Sequence, residues 1–302
     1  MIKNKERVIL VTGATGTVGG EVLKQLTSQS SSSPSPSSGI RVRAAIHSQN
    51  KADKVELQSV EAVSMDYNKP QTIAEALKHV DKLFWLTLPR PNKTEISSSL
   101  IKEAKKNDVR HIVKLSVMVA DAEPGTIMGR LHRDEEKVIE ESGIPHTFLR
   151  PTAFMQNFIN FFGQTIKNQN AFYLPAGDGK VSFVDVRDIA AVAVKILTDD
   201  GKHSGKAYVI TGQEALSFSQ AAEILSNVIG RKISYIDIPQ GDAQKSMKGM
   251  GMEDWFIAAL LEFYNIVRTG HASQTTDTVE QTLGRKAISF EQFVRDYAAY
   301  FN

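Results

Sequence analysis

The stretch that decides the fold is Val8-Ile9-Leu10-Val11-Thr12-Gly13-Ala14-Thr15-Gly16-Thr17-Val18-Gly19-Gly20. Its first four residues predict a buried strand, and the helical pattern that follows through Leu26 predicts a helix. The three glycines between them have the spacing G-x-x-G-x-x-G, not the commoner G-x-G-x-x-G. Gly13 allows a tight turn, Gly16 lets the backbone approach a pyrophosphate, and Gly19 lets the helix pack close to the strand. Since helix N-termini favour bound phosphate, the stretch predicts a dinucleotide site, and the alternative is a structural glycine turn.

The composition narrows the class of protein. The chain has 302 residues and a net charge of +2, which argues against a nucleic-acid or anionic-membrane surface. It has no cysteine, which excludes disulfides, thiolate nucleophiles and Cys-ligated metals. Its histidines lack the spacing of metal ligands, so we expect no metal site. With no apolar run long enough for a bilayer and no signal pattern, we expect a soluble cytoplasmic protein.

Strand and helix patterns alternate through the first half of the chain. The order predicts an α/β fold, a doubly wound parallel-sheet Rossmann domain over residues 1–155, with 180–211 returning to it. A smaller α+β substrate lobe is expected from residues 156–179 and 212–302. The Ser- and Pro-rich residues 28–39 predict a mobile insert remote from the chemistry. The predicted strands are 7–11, 41–46, 61–65, 82–86, 111–115, 146–149, 180–185, 206–211 and 233–238, and the predicted helices are 17–28, 50–58, 70–79, 94–107, 130–142 and 221–229.

The residues after the second strand bear on the choice of cofactor. An NAD site usually has an acidic residue here for the ribose, and none occurs before Asp53. His47, Ser48 and Lys51 could instead receive a 2′-phosphate. The sequence therefore favours NADP(H) over NAD(H), and the alternative is that Lys51 and Lys54 are part of a solvated helix face.

The last third of the chain is rich in methionine and aromatic residues. Met247, Met250 and Met252 precede an apolar helical pattern that starts at Trp255. This pattern predicts either a core face or the wall of a ligand pocket, and Gly249–Gly251 could let the region move as a lid.

Several short segments, in this order and spacing, carry a resemblance to a known family. The chain resembles the NmrA-like, atypical branch of the short-chain dehydrogenase/reductase superfamily along nearly its whole length. Members are NAD(P)-binding Rossmann proteins, which include quinone reductases, isoflavone-reductase-like enzymes and redox sensors that bind the dinucleotide without turning it over. The segments are Val11–Gly16, Asp66–Tyr67, Leu115–Ser116, Glu141–Pro151, Phe154–Asn157, Phe183–Ala190 and Ser289–Phe293.

The resemblance implies a role for each matching residue. The pyrophosphate would be held by Thr12, Gly13, Thr15, Gly16 and Val18. The adenine would be flanked by Asp66 and Tyr67, and the cofactor channel would be lined by Thr87, Leu88 and Pro89. The nicotinamide would lie near Ser116, and the pocket where cofactor and substrate meet would be shaped by residues 151–157, among them Pro151, Phe154 and Asn157. Apart from the resemblance, the apolar aromatic side chains of Phe158 and Trp255 favour a substrate pocket. Asp66 could instead be a helix N-cap or loop residue, and Asn157 a polar contact between lobes.

The catalytic pattern of the superfamily is incomplete here. Its Tyr-x-x-x-Lys pair lies on the helix after the fifth strand, and Gly129–Glu140 contains no tyrosine. One register places Arg133 and Lys137 at the two positions. A second register, counted back from Ile144-Pro145, places His132 where related reductases carry a catalytic lysine, and we prefer it.

His132 has suitable chemistry, because imidazole exchanges protons near neutral pH. Glu136, one turn later, could orient the ring. The alternative is a histidine that only hydrogen-bonds the ribose or faces solvent. Arg133, Lys137 and Glu140 are expected to form a solvated stripe.

Two functions of different class remain open. The first is a reductase that transfers hydride from NADPH to a small planar electrophile such as a quinone. A quinone takes up charge on both oxygens, so the absent tyrosine matters less than it would for a ketone. The second is a non-catalytic redox sensor whose state a partner protein reads. The pattern does not indicate an oligomeric state.

Overall fold

The computed structural model describes residues 7–32, 39–47, 60–87, 90, 93–199 and 201–302. The chain folds into two compact units. The first contains Met1–Asp121, Gly129–Arg150 and Ile189–Tyr208, and the second contains Ala122–Met128, Pro151–Asp188 and Val209–Asn302. The predicted boundaries at 155 and at 180–211 are thereby corrected. Residues 151–188 belong to the second unit because their apolar side chains, such as Met155 and Phe183, are part of its core.

A seven-stranded sheet is the framework of the first unit. Its spatial order is β3-β2-β1-β4-β5-β6-β9, and the ladders from β3 to β6 are parallel. The order reverses between β1 and β4, and such a switch point is where doubly wound sheets bind ligands, at the carboxyl ends of the strands. The doubly wound fold is confirmed. The strands are β1 Arg7–Val11, β2 Ile40–Ile46, β3 Val60–Ser64, β4 Lys82–Trp85, β5 His111–Leu115, β6 His146–Pro151 and β9 Lys206–Ile210.

Helices follow the strands and cover the sheet. Apolar residues of α2, α3 and α4 form one core with alternate strand residues such as Leu10, Trp85 and Ile112. The intervening residues, Ile9 and Phe84 among them, are also buried, so both faces of the sheet are covered. The helices of this part of the chain are α1 Thr17–Ser32, α2 Pro70–Leu77, α3 Lys93–Lys106, α4 Ile127–Ser142 and α7 Val186–Thr198. The predicted helix 50–58 and residues 33–38 of the insert lie outside the described residues.

The second unit is built around aromatic side chains. Phe158, Phe172, Phe183, Phe218 and Phe290 pack against one another in its core. Two small sheets pair β7 with β11 in parallel and β8 with β10 antiparallel. Its elements are α5 Asn157–Asn160, α6 Gly163–Gln169, β7 Ala171–Leu174, β8 Lys180–Val181, β10 Leu216–Ser217, α8 Phe218–Ile229, β11 Ser234–Asp237, α9 Gln240–Gly249, α10 Asp254–Arg268, α11 Thr278–Leu283 and α12 Phe290–Asp296.

The strand predicted at 180–185 is wrong beyond Val181. The backbone N–H of Ser182 donates to Ala272, whereas that of Val184 donates to Ala153. Because Ser182 and Val184 bond to different segments, they do not continue one ladder.

Among the described residues, no helix has the length and apolar character needed to cross a membrane.

Candidate active site

The glycine turn joins β1 to α1 at the switch point. Gly13 has a φ of +63°, and a Cβ at Gly19 would lie 2.2 Å from the carbonyl oxygen of Gly13. The first helical bond runs from the N–H of Gly20 to Gly16, so the N–H groups of the first turn, Val18 among them, precede the helical ladder. Thr15 and Gly16 are exposed. We call the turn and the first helical residues, Gly13–Gly20, the glycine cradle. It has the backbone donors and the space that a pyrophosphate requires, so the residues fit a dinucleotide.

The contacts of Thr12 correct its predicted role in holding the pyrophosphate. Its hydroxyl is buried and contacts the carbonyl of Leu86 at 3.0 Å, and it accepts from the N–H of Leu86 at 2.7 Å. Its backbone N–H donates to Phe84. Both donors of Thr12 are therefore used within the protein, and Thr12 shapes the turn without donating to a phosphate.

Asp66 and Tyr67 follow β3, on the side where adenine is expected. An oxygen of the Asp66 carboxylate accepts from the N–H of Asn68 and lies 3.8 Å from His47 Nε2. Lys69 precedes α2 as its N-cap, so Asp66 is not the cap of that helix. Burial raises the pKa of Tyr67 to about 12, and its hydroxyl donates to Leu86 at 3.3 Å. The predictions for Ser48, Lys51, Leu88 and Pro89 lie outside the described residues.

The residues after β4 and β5 present hydroxyl groups to α4. Thr87 Oγ1 donates to Glu135 Oε1 at 2.6 Å, and Ser116 Oγ donates to Glu136 Oε1 at 2.6 Å. A hydroxyl has one proton, so each of these oxygens keeps only acceptor capacity for a ligand. This corrects the prediction of Ser116 as a catalytic residue in one respect, because its proton is already engaged and it can act only by accepting.

Two buried carboxylates on α4 are balanced by buried cations. Lys114 Nζ lies 3.2 Å from Glu135 Oε2, and both side chains are fully buried. Arg150 donates to both oxygens of Glu136, at 3.0 and 2.7 Å, and to Asp121 at 2.6 Å. The hydrogen bonds that Arg150 donates to Glu136 hold the pKa of Arg150 above its ordinary value. Paired in this way, the charges avoid the large cost of an isolated buried ion.

His132 lies on the same buried face of α4 and is 8% exposed. Its Nδ1 is 3.7 Å from Glu135 Oε2. The expectation that Glu136 orients the ring is wrong, because the oxygens of Glu136 are held by Ser116 and Arg150. Lys137 is exposed on the opposite face, which favours the register that selects His132.

The sequence reasoning missed the ion pairs under this site. A signal was present, since Lys114 interrupts an otherwise apolar strand and must find an anion when buried. Gly129, His132, Glu136 and Ile139 also recur at helical spacing, and all four are buried. The expected solvated stripe is correct for Lys137 and Glu140, whereas Arg133 bonds to Glu136 and Glu140.

The remaining predicted residues belong to the second unit. Pro151 is buried, and Phe154 is half-buried and bridges to Val184. Asn157 begins α5 and is half-buried. Phe158 is a correction, because other aromatic rings enclose it with centroids 4.8 to 6.1 Å away and no face is left for a ligand.

Trp255 is half-buried at the start of α10, where its Nε1 donates to Glu253 at 2.7 Å. The pattern that begins there is a core face along Ile257 and Leu261, which pack in a small cluster that Met247 and Met252 adjoin. Met250 is 72% exposed.

The doubly wound sheet and its glycine cradle define a Rossmann dinucleotide-binding protein. Within that class the chain belongs to the NmrA-like family, whose pattern matches residues 5–301.

Several proteins of known name are similar to this chain along nearly its whole length. An NAD(P)H azoreductase from Xenophilus azovorans is 36% identical over 294 residues, covering 97% of this chain and 99% of that protein. The solved structure of Citrobacter sp. triphenylmethane reductase complexed with NADP(H) has a TM-score of 0.81 at 27% identity, covering 95% of this chain and 99% of that one. The Escherichia coli NADPH-dependent quinone oxidoreductase complexed with NADPH has a TM-score of 0.82 at 25% identity, covering 98% of this chain and 100% of that one.

Proposed function

We propose that this protein is an NAD(P)H-dependent oxidoreductase that reduces a small planar acceptor of the quinone or azo type. The observation that carries the proposal is the glycine cradle at the switch point, in a chain 36% identical to an NAD(P)H azoreductase over 97% of its length. Further support comes from the NADPH quinone oxidoreductase and the triphenylmethane reductase, whose structures were solved with the same cofactor.

The cofactor would be held by backbone groups of the first unit. The N–H groups at Thr15 and Val18 would donate to the pyrophosphate. The N–H of Gly16 already donates to the carbonyl of Gly13 at 2.9 Å, so Gly16 would only let the backbone approach the phosphates. Asp66 and Tyr67 would border the adenosine. NADP(H) is the preferred form, because the residues that follow β2, His47 first among them, are not acidic before Asp53. When bound, the reduced dinucleotide supplies a hydride.

The protein's own contribution to the chemistry is acid–base and positional. His132 would donate the proton that the reduced acceptor needs, since imidazolium is an effective acid near neutral pH. Ser116, which can only accept, would orient an N–H group of a ligand and would not donate a proton.

The proposal is tested by adding NADPH to the purified protein and following nicotinamide fluorescence and absorbance while quinones and azo dyes are added. We expect saturable binding, tighter for NADPH than for NADH, and loss of nicotinamide absorbance that depends on the acceptor. Saturable binding without loss for any acceptor would overturn the reductase and favour the redox-sensor alternative. Failure to bind either dinucleotide would overturn the cofactor site itself.

A further inference from the structure

Glu135 is fully buried, and its two carboxylate oxygens have different neighbours. Oε1 accepts from the hydroxyls of Thr87 at 2.6 Å and of Ser97 at 3.3 Å. Oε2 faces two nitrogen atoms, Lys114 Nζ at 3.2 Å and His132 Nδ1 at 3.7 Å. The side chain therefore connects the residue after β4 with the imidazole on α4, and three separate elements hold it in place.

The ion pair makes Glu135 a fixed acceptor. Lys114 is itself fully buried and lies 5.4 Å from the centroid of the Trp85 ring, so it has no route to solvent. Removing one partner of a buried glutamate–lysine pair costs several kcal/mol, because the other charge is left buried and uncompensated. The neighbouring charges on α4 and β6 are already matched, since Glu136 is held by Arg150 and Arg133. Glu135 is thus the carboxylate that faces the imidazole.

We propose that Glu135 is the positioning residue for His132. At 3.7 Å the contact between Nδ1 and Glu135 Oε2 is longer than a hydrogen bond, so the carboxylate acts on the ring through its charge. The negative charge favours the tautomer that has its proton on Nδ1, on the side of Oε2, and so makes Nε2 the nitrogen that exchanges a proton. The ring orientation of a histidine is generally set by the partner of its second nitrogen, which is the basis of this assignment. The proposal rests on the proposed function and specifies how its acid is held.

The proton balance follows from this arrangement. The acceptor gains two electrons and a hydrogen as hydride, and then takes one proton from Nε2 of the doubly protonated ring. The N–H bond at Nε2 breaks, and the ring remains neutral with its proton on Nδ1. Solvent returns a proton to Nε2. Glu135 stays ionised throughout and does not take part in the transfer.

The tautomer can be measured directly by ¹⁵N NMR of the histidine side chains at a pH where the ring is neutral, without cofactor. The His132 signals are assigned by their loss in His132→Gln. The decisive variant is the double substitution Lys114→Met with Glu135→Gln, which removes both charges of the pair together. In the Glu135→Gln side chain, the amide oxygen can still accept hydrogen bonds from Thr87 and Ser97. The amide NH₂ is then directed at His132. Glu140→Gln, at an exposed position of the same helix, is the matched control.

In the wild type and in Glu140→Gln we expect the proton on Nδ1. In the double variant we expect it on Nε2, and kcat reduced by about 10- to 100-fold with the NADPH dissociation constant unchanged. A wild-type ring with its proton on Nε2 would overturn the proposal even if the double variant does not fold, and so would a double variant that keeps the wild-type tautomer. Failure of all acceptors to oxidise NADPH would overturn the proposed function instead, since the tautomer is read without turnover.

Discussion

At the scale of single residues, Gly19 is the position in the glycine cradle where an added side chain would be tolerated least. A Cβ there would lie 2.2 Å from the carbonyl oxygen of Gly13, which is backbone and cannot rotate away. We expect Gly19→Ala to lower the free energy of unfolding by about 1–3 kcal/mol and to weaken NADPH binding at least tenfold, because the turn must open. Urea unfolding and fluorescence titration measure the two effects.

Gly20 is the matched control for this substitution. A Cβ there meets its nearest neighbour, the carbonyl oxygen of Ala14, at an ordinary 3.4 Å. Gly20→Ala is expected to raise stability by about 0.5–1 kcal/mol and to leave NADPH binding unchanged. Equal behaviour of the two variants would contradict the close approach of helix and turn.

His111 makes the first unit sensitive to acid. Its Nε2 lies 2.9 Å from Thr147 Oγ1, whose proton goes to the carbonyl of His203, so the imidazole donates to Thr147. Burial, with Lys82 and two neighbouring histidines, lowers its pKa from 6.5 to about 4. In the unfolded chain the ring protonates as the pH falls below about 6.5, whereas in the native protein it stays neutral until about pH 4. The stabilising contribution of the neutral His111 ring is therefore fully present above the higher of these values. It is lost as the pH falls to the lower one.

The expected loss at pH 5 relative to pH 7.5 is about 1–2 kcal/mol from this residue. His111→Gln keeps a donor for Thr147 and has no titrating group. Between pH 7.5 and pH 5 its free energy of unfolding should therefore fall by about 1–2 kcal/mol less than that of the wild type. Urea unfolding of both proteins at the two pH values makes the comparison. Parallel pH profiles for wild type and variant would show that His111 does not titrate as described.

At the scale of elements, Thr12 connects the ends of β1 and β4. Its hydroxyl accepts from the N–H of Leu86 and contacts the carbonyls of Phe84 and Leu86. Thr12→Val keeps the shape and leaves that buried N–H without its acceptor, so we expect a loss of about 1–3 kcal/mol in the free energy of unfolding. Thr12→Ser keeps the hydroxyl and should retain both stability and NADPH affinity.

The two substitutions also distinguish a structural threonine from a phosphate ligand. If Thr12 donated to phosphate, Thr12→Val would weaken NADPH binding without lowering stability. Chemical denaturation of the free protein, read beside the binding isotherm, separates these cases.

The elements that sequence predicted best are those set by local pattern. β1 and β5 have the predicted bounds, because each contains apolar residues in sequence and is followed directly by a polar residue, Thr12 or Ser116. α4 shows where the pattern misleads. Its buried face contains His132, Glu135 and Glu136, and a polar face is indistinguishable from a solvated one until its partners, Lys114 and Arg150, are known. Those partners are distant in sequence, so no local window contains the signal.

At the scale of the whole molecule, the division of the chain was less predictable than its fold class. The second unit takes three segments of the chain, and one of them, Ala122–Met128, is only a short stretch. Apolar residues such as Phe158 and Phe183 read equally well as a pocket or a core until their neighbours are known. The aromatic cluster shows that they are core. The cofactor cradle could be found from the sequence because it lies within one strand–turn–helix unit, whereas the substrate contacts could not.

The proposed reaction of this chain is the reduction of a planar acceptor by NADPH. The most direct test is an anaerobic single-turnover experiment with NADPH deuterated at the transferable position, mixed with the acceptor that gives the fastest loss of nicotinamide absorbance. We expect one acceptor to be reduced for each NADPH consumed, and a slower reaction with the deuterated cofactor than with the unlabelled one. Tight NADPH binding with no acceptor reduced would contradict it and identify a dinucleotide sensor.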